Sequence, residues 1–179
     1  MKSTTDAAHY LRMIWQGHDE QSKEMCESGA FGLYDILAPS ALGFNKAQAA
    51  ELVMKAFWLA DEAESWQGRS LTEENQLYSQ AGSNLKMSRE LVGLETKSVG
   101  FTIDWWISYR HKDRKAVLEN LVKEHVCQLN CVSDTDVARR CAGIIVEAAT
   151  EHQKRNWEAC EAKLQEYFEL YLPAFLNQF

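Results

Sequence analysis

Apolar residues recur every three to four positions through most of this chain, the spacing that keeps one face of an α-helix in a core. Leu11, Ile14, Trp15, His18 and Met25 predict a first helix, capped by Thr4 or Thr5 and ending near Ser28 and Gly29. A short helical turn over 31–37 follows and stops at Ala38 and Pro39, because proline disfavours helical backbone before it and has no N–H to donate. Asn45 and Gln48 make a capping-box-like start for a helix with Leu52, Val53, Ala56, Phe57, Leu59, Ala60 and Ala63 on a broad face, closing around 66–68. Ser70 and Glu73 form a cleaner capping box. Leu77, Tyr78, Ala81, Leu85, Leu91 and Leu94 carry that helix onward, with Gly82 a point of weakness or bending and Gly93 and Gly100 bracketing its end.

Residues 101–109 fit two periods. Phe101, Ile103, Trp105, Ile107 and Tyr109 alternate like a strand, while Ile103, Trp106, Ile107 and Arg110 share a helical side. Helix is the better choice, because a lone strand needs a partner and no second segment alternates comparably. Val117, Leu118, Leu121, Val122, His125, Val126 and Leu129 predict a helix capped by Asp113. Ser133 and Asp136 box the start of a last element that carries Val137, Cys141, Ile144, Ile145, Ala148, Trp157, Cys160, Leu164, Tyr167, Phe168 and Tyr171. That element is either one long helix or two meeting near Asn156, with no breaker before Pro173. The expectation is an all-α fold: a compact bundle of about six helices with a long C-terminal helical segment.

Composition agrees. With 179 residues, 46% apolar and 25% charged, the chain suits one helical domain over 1–179, with a possible subdivision near 96–101. Two prolines and nine glycines are too few for a turn-rich sheet protein. The longest apolar stretches fall far short of a bilayer span and no basic segment precedes an apolar run at the N-terminus, so a cytoplasmic location without membrane contact is expected. Five cysteines at irregular spacing argue for reduced, mostly buried thiols.

Candidate chemistry is sparse. His18 beside Asp19 and Glu20, Glu124 beside His125, and Glu151 beside His152 place carboxylates next to imidazoles, but adjacent helical residues do not face one another. No catalytic residue is therefore assigned. His125, Cys127, Cys131 and Cys141 are the best metal candidates, since Cys127 and Cys131 are four apart on a helix. Paired Cys-x-x-Cys knuckles are missing, so core thiols are the preferred reading and neither metal nor cofactor is expected. Hydrolase elbows, phosphate-binding glycine loops and dinucleotide fingerprints are absent from the sequence. Trp15, Trp58 and Trp157 fall on apolar faces; Trp66, Trp105 and Trp106 fall at element ends, where they either pack, stack a base or anchor a partner.

The formal charge of −7 suits solubility and repels nucleic acid over most of the surface. Residues 101–140 break that pattern, with seven Lys/Arg against six Asp/Glu, and every other stretch is net negative. Arg110, Lys112, Arg114 and Lys115, with Arg139 and Arg140 on the following element, make one positive strip if the two helices pack side by side. Pairing with Asp113, Asp134 and Asp136 on a solvated surface is the bland alternative.

The order of features has a likeness. The run Leu-Tyr-Asp-Ile-Leu-Ala-Pro at 33–39, a short loop and the apolar helix through Phe57-Trp-Leu-Ala60 resemble the N-terminal half of the CasB family, the small subunit of the type I-E Cascade CRISPR effector. Residues 10–15 resemble its opening helix, 98–100 its small-residue turn, 113–122 its basic-then-apolar helix and 134–145 the helix that follows. The likeness spans most of 8–150. It implies an all-helical, non-catalytic subunit that sits as a pair in the complex, meets the backbone and large subunits, and contacts DNA and guide RNA there, stabilising the R-loop. The six basic residues above are then its phosphate contacts. Two features depart from the family: the acidic balance, and the aromatic segment 157–179, whose Tyr167, Phe168, Tyr171 and Phe175 are candidate anchors for neighbouring subunits. The rival expectations are an acidic helical interaction protein, such as a phage or plasmid inhibitor of a nucleic-acid-binding complex, and an enzyme of unfamiliar type.

Overall fold

A computed structural model of the chain describes residues 3–65, 70–94, 114–129 and 135–178. Among these residues every element is helical: α1 (Thr4–Asp19), α2 (Lys23–Leu37), α3 (Gly43–Ser65), α4 (Leu71–Leu91), α5 (Arg114–Gln128), α6 (Asp136–Gln153) and α7 (Trp157–Leu176). The all-α expectation is met, with seven helices among the described residues rather than about six. Residues 101–109 and the possible subdivision near 96–101 lie outside them.

Local chemistry explains where the helices begin and end. Ser3 caps α1 in a reciprocal box: its hydroxyl accepts the Asp6 N–H at 3.3 Å and the Asp6 carboxylate accepts the Ser3 N–H at 3.0 Å. The cap is thus Ser3, not Thr4 or Thr5. The helix expected to run to Gly29 is in fact two, because Gln21 takes a left-handed backbone with φ of 58° and Ser22 then caps α2 by accepting the Met25 N–H. Gly29 breaks nothing. A Cβ there would stand 2.6 Å from the Tyr10 carbonyl oxygen, and a Cβ on Gly17 would stand 2.6 Å from the Cys26 backbone nitrogen, so both are points where α1 and α2 meet backbone to backbone.

Other boundaries follow the sequence more closely. α2 stops at Leu37 before Pro39 and α4 starts as expected, the Ser70 hydroxyl accepting the Glu73 N–H. Gly93 supplies the positive φ of 81° just past the end of α4. α3 begins at Gly43, ahead of Asn45, and α6 is preceded by Thr135 with no side-chain cap bond; Asp113 and Ser133 lie outside the described residues. The last element is two helices. Arg155, at φ 55°, separates them, and Asn156 caps α7 by accepting the Ala159 N–H. α7 passes through Pro173 in its last turn and ends at Leu176.

The helices pack in series: α4 on α3, α3 on α2, α2 on α1, α1 on α7, α7 on α6 and α6 on α5. The main apolar core is built on α1 from Ala7, Ile14 and Trp15 and on α7 from Cys160, Leu164 and Phe168, and a smaller one joins Ala60 and Ala63 of α3 to Tyr78 of α4. Trp15 is buried, and Trp58 and Trp157 pack against the main core. The terminal aromatics answer differently from the interface expectation: Tyr167, Phe168, Tyr171 and Phe175 are all buried in the core. Tyr167, Tyr171 and Phe175 stack along α7 at centroid distances of 5.1 and 5.5 Å, because residues four apart share a helical face.

Ser88 of α4 braces three helices. Fully buried, it donates to the Ala49 carbonyl of α3 at 2.6 Å and so accepts from the Tyr34 hydroxyl of α2, also at 2.6 Å. Ser88→Ala would leave the Tyr34 hydroxyl buried without its acceptor, at a cost of about 1–3 kcal/mol, whereas Tyr34→Phe removes one bond and spares the other, at about 1 kcal/mol. Urea unfolding of the two variants checks that order.

Candidate nucleic-acid interface

Of the six basic residues expected to face phosphate, Arg110 and Lys112 lie outside the described residues, and Arg114 opens α5. Lys115 is exposed, its Nζ 3.9 Å from the Glu119 carboxylate one turn on, a surface pair of little energetic weight. Arg139 and Arg140 are exposed near the start of α6. The two helices do pack on one another.

Their direction changes the shape of the strip. Along α7, Tyr167 and Tyr171 meet His125 and Gln128 of α5 in the same order, while Lys163 pairs with Glu147 of α6, which joins α7 through the turn at Arg155, so α5 and α6 run antiparallel. Lys115 and Arg139 with Arg140 therefore sit at opposite ends of the pair. At 1.5 Å per residue the span is about 20 Å, longer than any single phosphate group. Each end also carries a helix N-terminus, α5 at Arg114 and α6 at Asp136, whose backbone dipole favours anions. The arrangement suits an extended anionic backbone held by charge.

A buried polar cluster ties α5 to α7 beneath these residues. His125 Nδ1 donates to the Leu121 carbonyl at 2.7 Å, which leaves Nε2 to accept from the Tyr167 hydroxyl at 2.7 Å. Burial pushes the imidazole down to about 4; the bond to Leu121 opposes the shift and Arg89 adds to it. Burial likewise raises both Tyr167 and Tyr171, so the phenols stay protonated. Gln128, accepting from Tyr171, passes its own N–H to Glu124 at 2.9 Å. A cavity of about 170 Å³ opens beside the cluster between Arg89, Glu124 and the apolar side chains of Leu33 and Phe168. With both ring nitrogens of His125 engaged and both phenol hydroxyls partnered, the cluster braces α5 against α7.

The remaining candidates are dispersed. His18, far from pairing with Asp19 or Glu20, makes a 2.7 Å contact with Asp61 of α3, a partner that lies 43 residues away and that no local spacing predicts. His152 is wedged between Trp15 and Trp157, and Glu151 pairs with Lys154. Cys26, Cys141 and Cys160 are buried, with burial pushing the Cys26 and Cys160 thiols up to about 12, and Cys127 is half-buried. Cys131 lies outside the described residues, as do Trp66, Trp105 and Trp106. Among the described residues no three His, Cys, Asp or Glu side chains gather as a metal site would require, and no helix is long and apolar enough to cross a membrane.

No protein-family model, curated protein or solved structure matches the chain.

The buried imidazole sets a pH dependence. Its folded pKa lies below the unfolded value of 6.5, so the unfolded chain takes up the proton first. The stabilisation is complete above about pH 6.5 and is lost as the pH falls toward 4, by up to about 3 kcal/mol over the whole window. His152, also lowered by burial, acts in the same direction. Denaturant titrations at pH 7, 5.5 and 4.5 should show His125→Gln losing less stability on acidification than the parent; equal losses would mean that His125 is not held neutral.

Proposed function

We propose that this chain is a non-catalytic helical subunit of a CRISPR Cascade-type effector, which contacts the backbone and large subunits and stabilises the target and displaced DNA strands alongside the guide RNA. The observation that carries the reading is the placing of exposed Lys115, Arg139 and Arg140 at the two ends of the packed α5 and α6 in an otherwise acidic protein. The all-helical architecture supports it too, as does the internal brace of His125 and Tyr167, which holds α5 on α7 and so keeps the basic ends at a set separation. A span of about 20 Å suits the backbone of an unpaired strand better than a single phosphate. Modest contacts of this kind matter in an R-loop, because the exchange of one duplex for another is nearly balanced.

The net charge of −7 favours a second reading, an acidic helical protein that occupies a nucleic-acid-binding partner and has no affinity for DNA itself. Co-expression with the other subunits of a type I-E complex separates the two: the first reading expects stoichiometric co-purification and the second expects none. Within an assembled complex, Arg139→Ala with Arg140→Ala should weaken DNA binding equally across target sequences. The slope of log K against log salt should fall by about 1.4, about 0.7 for each single-strand phosphate that is no longer neutralised. An unchanged slope removes the basic strip from the proposal.

A further inference from the structure

α2 and α3 leave a groove of about 400 Å³ between them, lined by Glu24, Glu27, Ser28 and Phe31 from α2 and by Ala47 and Ala50 from α3. The α2 residues are spaced i, i+3, i+4 and i+7, so they form one continuous helical face. The two alanines keep the opposite wall low. One turn before Ala47, on the same face of α3, Phe44 is 71% exposed; Leu42 beside it is 70% exposed and Phe31 39%, three of the largest exposed apolar side chains among the described residues. Isolated exposed apolar residues are ordinary, but aromatic anchors at the edge of a groove mark contact surfaces.

Charge selects the occupant. Both ionisable residues that line the groove are acidic, and the three lysines of α2 and α3 are engaged elsewhere. Lys23 lies over the Trp58 ring at 5.7 Å, Lys46 donates to Asp35 at 2.8 Å, and Lys55 is 2.9 Å from Glu51. We infer that this groove docks an amphipathic helix of a partner protein whose apolar side chains seat against Phe31, Phe44 and the alanines while its flanking lysines or arginines meet Glu24 and Glu27. The groove involves none of the basic residues of α5 and α6, so the inference stands apart from the DNA-binding proposal, and the outcome of one does not decide the other.

The probe is a fluorescent helical peptide of about four turns with leucines at i, i+3, i+4 and i+7 and lysines elsewhere, compared with a twin that carries glutamates in place of the lysines. Fluorescence anisotropy should show the protein binding the lysine peptide at least tenfold more tightly than the twin. Phe44→Ser, at an exposed site that folding does not depend on, should weaken that binding about tenfold. Glu24→Lys with Glu27→Lys should reverse the preference between the peptides. The control, Glu73→Lys with Glu74→Lys on α4, makes the same change in net charge away from the groove and should leave affinity within about twofold. An equal effect in the control reduces the preference to general acidity and overturns the inference. So does an absence of preference between the peptides, or a dimer of the parent protein that Phe44→Ser dissolves, since the groove is then filled by a second copy.

Discussion

Where α1 crosses α2, backbone meets backbone. Neither Gly17 nor Gly29 has room for a Cβ, and this approach fixes the angle at which the chain doubles back after Gln21. Everything else is hung on that seam. α1 has one flank against α2 and another against α7, and α2 in turn positions α3, so that a displacement of α1 would move both halves of the bundle together. The close approach also brings Ile14 and Trp15 into the core shared with α7. Packing at such short range gains dispersion energy that longer side chains at the seam would forfeit.

Helical class and most helix bodies were legible in the sequence, because periodicity reports directly on which face is buried. Ser70 and Pro39 marked boundaries through chemistry that acts within one turn. The seam was misread for a physical reason. Glycine weakens an isolated helix, so Gly29 looked like an end, yet in the folded protein its missing Cβ is what a neighbouring carbonyl requires. Gln21 gave the opposite error: nothing about a glutamine announces a left-handed backbone, and its side chain is held there by His18 and Asp61. The His18 and Asp61 contact was invisible for the same reason, as it joins helices whose packing only the whole fold decides.

The charge pattern shows how sequence proximity and spatial proximity part. Arg114 and Lys115 are distant in number from Arg139 and Arg140, and a side-by-side pair of helices was expected to merge them. The antiparallel sense spreads them instead to the two ends of the helix pair. The aromatic residues of α7 went the other way. Read as a surface on an appended tail, they fill the centre, and the polar ends of Tyr167 and Tyr171 are absorbed by His125 and Gln128. Buried phenols are tolerable where each hydroxyl has a partner, and α5 supplies both.

The meeting of the first and last helices has a bearing on how the chain comes into being. His9 and Arg12 of α1 both reach Glu161 of α7, across 152 and 149 residues. Contacts that remote in sequence carry a large loop-closure cost and slow the search for the native state. During synthesis the paired helices α1 to α4 can associate early, but the flank of α1 that α7 will cover stays wet until α7 has left the ribosome. For that interval the nascent protein displays an apolar stripe that the folded one hides, and its safe passage depends on how quickly α1 and α7 find each other.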